Sequence, residues 1–85
     1  MIKFNIFKRT NSYKMVFDGS KAAQIVLADL ARFCPEDPSL NAGNPIDDKR
    51  VYINIGRRQT LNHILAIINL TPEQLNAIAR REANN

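Results

Sequence analysis

Lys21-Ala-Ala-Gln-Ile-Val-Leu-Ala-Asp-Leu-Ala-Arg-Phe33, followed at once by Cys34-Pro35, is the stretch whose reading decides the fold. At the helical period, Ala22, Ala23, Val26, Leu27, Leu30, Phe33 and Cys34 fall within one arc of about 140°, and Lys21, Gln24, Asp29 and Arg32 lie outside it. Ile25 is the apolar residue off that face. Asp18-Gly19-Ser20 offers side-chain oxygens to the first free N–H groups, which marks a helix entrance. Pro35 ends the helix, because it disfavours helical geometry at Cys34 and has no N–H to continue the ladder.

Downstream, residues 35–48 hold three prolines, a glycine and four acids, and so form a loop. The segment is long for a chain of 85 residues, a length often tied to function or to a partner; Leu40 and Ile46 are expected to pin it. Asp47 or Asp48 can cap a second helix over 49–69. Ile53, Leu61, Ile64, Leu65, Ile67 and Ile68 share a broad face of it, with Val51, Tyr52 and Ile55 on another side. Gly56 inside this helix costs roughly 1 kcal/mol against alanine, so a kink or a close contact is expected there. Thr71-Pro72-Glu73-Gln74 carries an N-cap, a proline at the first helical position and the reciprocal glutamine of a capping box. A third helix over 72–83 follows. Its narrow stripe of Leu75, Ile78 and Ala79 suits docking on the other two rather than forming the core.

Upstream, Ile2, Phe4 and Ile6 alternate, as do Tyr13, Met15 and Phe17, with Thr10-Asn11-Ser12 between them. That pattern predicts a β-hairpin or an extended arm laid on a helix or a partner, and the arm is preferred because an isolated hairpin is marginal in water. The expected architecture is therefore all-α: a small three-helix domain over 18–85, made of an antiparallel pair (20–34 and 49–69) with the short C-terminal helix packed across it, preceded by an extended arm or hairpin over 1–17.

Composition sets the class of function. The chain is 45% apolar and 24% charged, which excludes disorder, and its small size leaves little room for an enclosed substrate cavity. One cysteine, Cys34, fits a reducing compartment and a buried apolar role. No apolar run reaches membrane-spanning length, and the N-terminal residues lack the apolar stretch of a secretory signal. The net charge of +4 is uneven: residues 1–17 and 49–58 are purely basic, whereas 18–48 hold six acids against Lys21 and Arg32. This layout suits self-association or docking on an acidic surface as well as it suits nucleic acid.

No catalytic motif is present. One histidine and one cysteine are too few for a zinc site, and the loop acids Glu36, Asp37, Asp47 and Asp48 lack an EF-hand pattern. His63 is expected at the edge of the apolar face. No cofactor, no metal and no enzymatic activity are expected. The informative charges are Arg57 and Arg58. On the helical wheel Arg57 falls in the middle of the face made by Ile53, Leu61, Ile64 and Ile68, so its guanidinium must pair, snorkel or meet a ligand. Asp29 is the expected partner in a structural ion pair, with Glu36 or Asp37 as substitutes. Arg57 and Arg58, with Lys49 and Arg50, are also the candidate binding residues for a phosphate or an acidic surface, since arginine recognises both bidentately. The Asn69-Leu70-Thr71 turn before the last helix permits a helix-turn-helix reading with Arg80 and Arg81 on phosphate. Against it stand Glu73 and Glu82 in that alanine-rich helix and the lack of an aromatic stacking platform.

Tyr13-Lys-Met-Val-Phe17, Val26-Leu-Ala-Asp-Leu-Ala-Arg-Phe-Cys34, Gly56-Arg-Arg58 and His63-Ile-Leu65 resemble a family of small tailed-phage proteins. That family is typified by an uncharacterised protein encoded among the virion genes of a Bordetella podophage. The similarity spans roughly residues 13–70, and Asp29, Arg32, Arg57 and Arg58 are the matching polar positions. The resemblance implies a phage origin and a virion or morphogenesis context rather than an activity. The leading expectation is a phage structural or morphogenesis protein, virion-associated or an accessory of portal or head assembly. It would act through helix-mediated contacts with a virion component or with itself as an oligomer. The alternatives are a small DNA-binding factor and a host-takeover protein that occupies the surface of a host enzyme. The expected location is the host cytoplasm during infection, or the virion.

Overall fold

The computed structural model describes residues 5–84. Four helices follow one another: α1 (Ile6–Val16), α2 (Lys21–Phe33), α3 (Asp48–Ile68) and α4 (Pro72–Ala83). No strand occurs among the described residues, and the chain is all-α.

The first helix replaces the extended arm or hairpin over most of its expected length; residues 1–4 of that arm lie outside the described residues. Asn5 caps α1 by accepting from the Lys8 N–H at 3.1 Å. Thr10, Asn11 and Ser12, which suggested a turn, sit in the middle of the helix, and the Ser12 hydroxyl donates back to the Lys8 carbonyl at 2.7 Å. The alternation of Tyr13, Met15 and Phe17 misleads because only two of them turn inward. The half-buried positions are Arg9, Thr10, Tyr13 and Phe17, a helical spacing. Tyr13 meets His63 of α3 edge to face, with ring centroids 6.3 Å apart.

The remaining boundaries follow from capping. Ser20 caps α2, accepting from the Ala23 N–H, while Asp18 accepts from the Ser20 N–H. Asp47, rather than Asp48, caps α3. Asn69 ends α3 in the left-handed conformation (φ 59°), which asparagine tolerates better than most residues. Thr71 and Gln74 form both bonds of the capping box, at 3.1 and 2.9 Å. At Gly56 α3 runs on unbroken, and an added Cβ would meet nothing within 4 Å, so neither the expected close contact nor a break in the helix is found.

The core is small and shared: Leu27 and Cys34 from the α2 end, Leu61 and Leu65 from the second half of α3, and Leu75 from α4. Phe17, Leu30, Ala31, Ile68, Leu70 and Ile78 pack around them. The partnering differs from the expected α2–α3 pair. α2 packs mainly on α4 and α1 on α3, while α2 and α3 touch sparingly. Lys21 at the start of α2 bridges Glu82 near the end of α4 at 2.8 Å. α4 is thus a central element, and Leu75 is fully buried (0% exposed).

The helices lie in a flat layer with extents of 45 × 41 × 17 Å. The radius of gyration is 14.8 Å, against about 12 Å for a compact chain of this length. The accessible surface of 6546 Å² exceeds by roughly 1,400 Å² that of a compact monomer of this mass. Few side chains have protein on every side, and many large apolar ones stay open, among them Phe7, Met15, Phe33, Leu40, Ile46, Tyr52 and Ile53.

Candidate functional site

The long loop is tied to α3 by one buried polar side chain. Asn54, 6% exposed, donates from Nδ2 to the carbonyls of Pro38 and Leu40 at 3.0 and 3.1 Å. The buried amide finds its acceptors in two loop carbonyls this way. Asp37 shapes the loop from within, accepting from both the N–H and the hydroxyl of Ser39. Those bonds hold its carboxyl below the ordinary carboxylate range, the hydroxyl first and the N–H second. Ala42 and Pro35 are buried, whereas Leu40 and Ile46, the expected anchors, are exposed.

In the first half of α3 this docking turns the inward face one residue from the expected one, while Leu61, Leu65 and Ile68 of the expected face pack in the core. The face runs through Asn54, Arg58, Leu61 and Leu65, not through Ile53 and Arg57. Arg58 is therefore the enclosed arginine, with its side chain 12% exposed. Its Nε donates to Asn62 Oδ1 at 3.1 Å, Nη1 to the Cys34 carbonyl at 3.4 Å, and Nη2 lies 3.8 Å from Glu36 Oε1. It clamps the end of α2 to α3. The wheel singles out Arg57 for an enclosed place; Arg58 takes it instead, against the Cys34 carbonyl and Glu36.

Arg57 does not pair with Asp29. Asp29 goes to Arg32, three residues on, at 2.7 Å. Arg57 lies over the ring of Phe33, its guanidinium carbon 4.2 Å from the centroid. The aromatic face answers the need for a partner that the wheel raised, through a cation–π contact rather than a carboxylate.

Between the end of α2, the loop and the first half of α3 lies a groove of about 440 Å³, lined by Arg32, Arg50 and Arg57 together with Phe33, Leu40 and Ile53, and by Pro35, Asn41 and Asn54. Arg50 reaches back toward the turn at Gly43 (φ 101°), where a Cβ would stand 3.9 Å from its Nη1 and 3.3 Å from the Pro45 carbonyl. Two of the four expected binding residues, Arg50 and Arg57, come together here. Arg58 lies against the other side of the loop, and Lys49 is exposed outside the groove. Arg32 joins the site unforeseen. Its place on the polar side of α2 was legible, but its approach to α3 depends on the course of the loop.

Among the described residues the groove's lining holds no His, Cys, Asp, Glu, Ser, Thr, Lys or Tyr. Burial pushes the Cys34 thiol up, against the pull of Arg57 and Arg58, so the sulfur stays a protonated apolar filler. Among the described residues, no three of His, Cys, Asp and Glu come together as a metal would need, and no helix is long and apolar enough to cross a membrane. The arrangement sets guanidinium forks among exposed apolar side chains.

A family model described as Bbp19-like phage protein matches residues 13–80, from the inward side of α1 to near the end of α4. The chain belongs to this phage protein family. The match takes in the groove and every core residue. No curated protein and no solved structure matches the chain.

Proposed function

We propose that this Bbp19-like phage protein is a structural or morphogenesis component, virion-associated or an accessory of head or portal assembly, that works through helix-mediated protein contacts and not through catalysis. The observation that carries this reading is the flat shape with its surplus surface and open apolar side chains. Surface of that kind on a folded chain marks contact with another protein. The excess of roughly 1,400 Å² over a compact monomer is more than the about 800 Å² that a standard interface takes from each partner.

A nucleic-acid role finds less support. Of the arginines that come together, Arg32 is bonded to Asp29, so a phosphodiester backbone laid across them would meet a carboxylate. The decisive experiment is mass spectrometry of purified virions, joined to light scattering of the purified chain. A defined copy number in the particle, or a stable oligomer or complex with a virion component, is the expected outcome. Absence from particles, with a chain that stays monomeric at high concentration and binds no virion component, overturns the reading. Salt-sensitive retention of DNA in its place turns the assignment to a DNA-binding factor.

A further inference from the structure

Resting on that reading, we infer that the groove between the end of α2, the loop and the first half of α3 receives an acidic segment of a protein partner, as a carboxylate side chain with an apolar neighbour. Three observations carry it. First, the groove gathers three guanidiniums and no carboxylate contributes to its lining. Arg32 is matched by Asp29, whereas Arg50 and Arg57 make no hydrogen bond or ion pair among the described residues. Their planar forks are free for charge-assisted, bidentate bonds, the strong class for carboxylates.

Second, apolar side chains line the groove together with the arginines. Phe33, Leu40 and Ile53 line it and are each about half exposed, at 51, 52 and 52%. A peptide alternating acidic and apolar side chains satisfies both parts of that surface, while a bare anion satisfies one. Third, the groove is already shaped. Asn54 holds the loop wall by its carbonyls, and Arg57 rests on Phe33, so little ordering is left for the moment of binding. Asp29, bonded to Arg32, disfavours a polyanion, whereas no carboxylate among the described residues is bonded to Arg50 or Arg57.

The test uses the full chain, labelled for NMR, titrated with a capped hexapeptide of alternating glutamate and leucine. The same peptide with glutamine for glutamate, inorganic phosphate and a short thymidine oligonucleotide serve as comparisons. Amide shifts around Phe33, Asn41, Arg50 and Arg57 are expected with the glutamate peptide, at concentrations up to about 5 mM, a range that captures a millimolar complex. Arg50→Gln with Arg57→Gln is expected to weaken binding about tenfold or more, the loss of charge-assisted bonds, with the helical circular dichroism unchanged. Lys49→Gln, outside the groove, is expected to leave it intact. No shifts, equal shifts with the glutamine peptide, or the same affinity after the arginine substitutions overturn the inference; tighter binding of the oligonucleotide at these residues overturns it in favour of nucleic acid. Failure here while the protein is found in virions removes the site and leaves the assembly reading standing. Binding here by a protein absent from particles does the reverse.

Discussion

The α2–α4 side of the molecule and the α1–loop–α3 side solve the same problem differently. On the first, leucines from three helices close over one another and Leu75 loses all contact with water. On the second, α1 has no buried residue, and the first half of α3 buries only Asn54, which reaches the loop by hydrogen bonds. The difference teaches that this fold separates cohesion from contact. Stability rests on the leucine seam, while the arginines and exposed apolar side chains are held in place by a few polar ties and left open.

Cutting the seam is the hardest way to break that division. Leu75→Ala removes a fully buried side chain from a core of few members, and a loss of about 2–5 kcal/mol is expected in urea unfolding. For a domain of this size each kcal/mol moves Tm by about 4–8 °C, so the variant approaches unfolding near room temperature. Tyr52→Ser, on the open side, is expected to change stability by no more than about 0.5 kcal/mol. Equal losses in the two variants would mean that both sides belong to one core.

Asn54→Leu sharpens the comparison from the other side. It leaves the carbonyls of Pro38 and Leu40 without their donor, at an expected cost of about 1–3 kcal/mol. Hydrogen exchange locates the damage: faster exchange is expected at the loop amides of Ala42 and Asp47, with amides of α2 and α4 less affected. Uniform acceleration would show that the loop is part of the cooperative unit.

Two helix-level changes bracket zero. Thr71→Ala deletes half of the capping box and is expected to cost about 1 kcal/mol. Gly56→Ala is expected to stabilise by up to about 1 kcal/mol, because the space beside Gly56 is open and its backbone is helical. If Gly56→Ala preserves folding but abolishes assembly, a partner approaches the backbone at that point.

These effects also separate what was legible in the sequence from what was not. Local chemistry was legible: Ser20, Asp47 and Thr71 sit at the helix starts because side-chain acceptors next to apolar periodicity leave few alternatives. The all-α class followed from the same signals. Long-range choices were not. α1 has polar residues on its inward stripe, so its apolar residues kept a misleading period of two. Leu75 sits in a stripe of only three apolar residues, and nothing local says that such a stripe becomes the centre. At the site, Arg50 and Arg57 were legible as charges needing partners. Arg32 was not, and the exchange of roles between Arg57 and Arg58 depends on two carbonyls of a loop fourteen positions and more away from Asn54.

The smallest expected effect is that of pH, and it tests both sides at once. Asp18, at the entrance of α2, is held below its ordinary value of 3.8 by the Ser20 N–H and then by the Ser20 hydroxyl; Asp37, in the loop, by the Ser39 hydroxyl and then by the Ser39 N–H. A carboxyl whose folded pKa is depressed binds fewer protons in the native than in the unfolded state. Its contribution is therefore complete above the ordinary value and is lost as pH falls through the lower, folded one. Both groups are solvent-exposed, so the effect is small and confined to pH below about 4. Asp18→Asn is expected to flatten the acid limb of stability measured on α2 amides, and Asp37→Asn that measured on loop amides. If either substitution flattens both, the seam and the open surface unfold as one, and the separation of cohesion from contact is a matter of packing alone and not of independent stability.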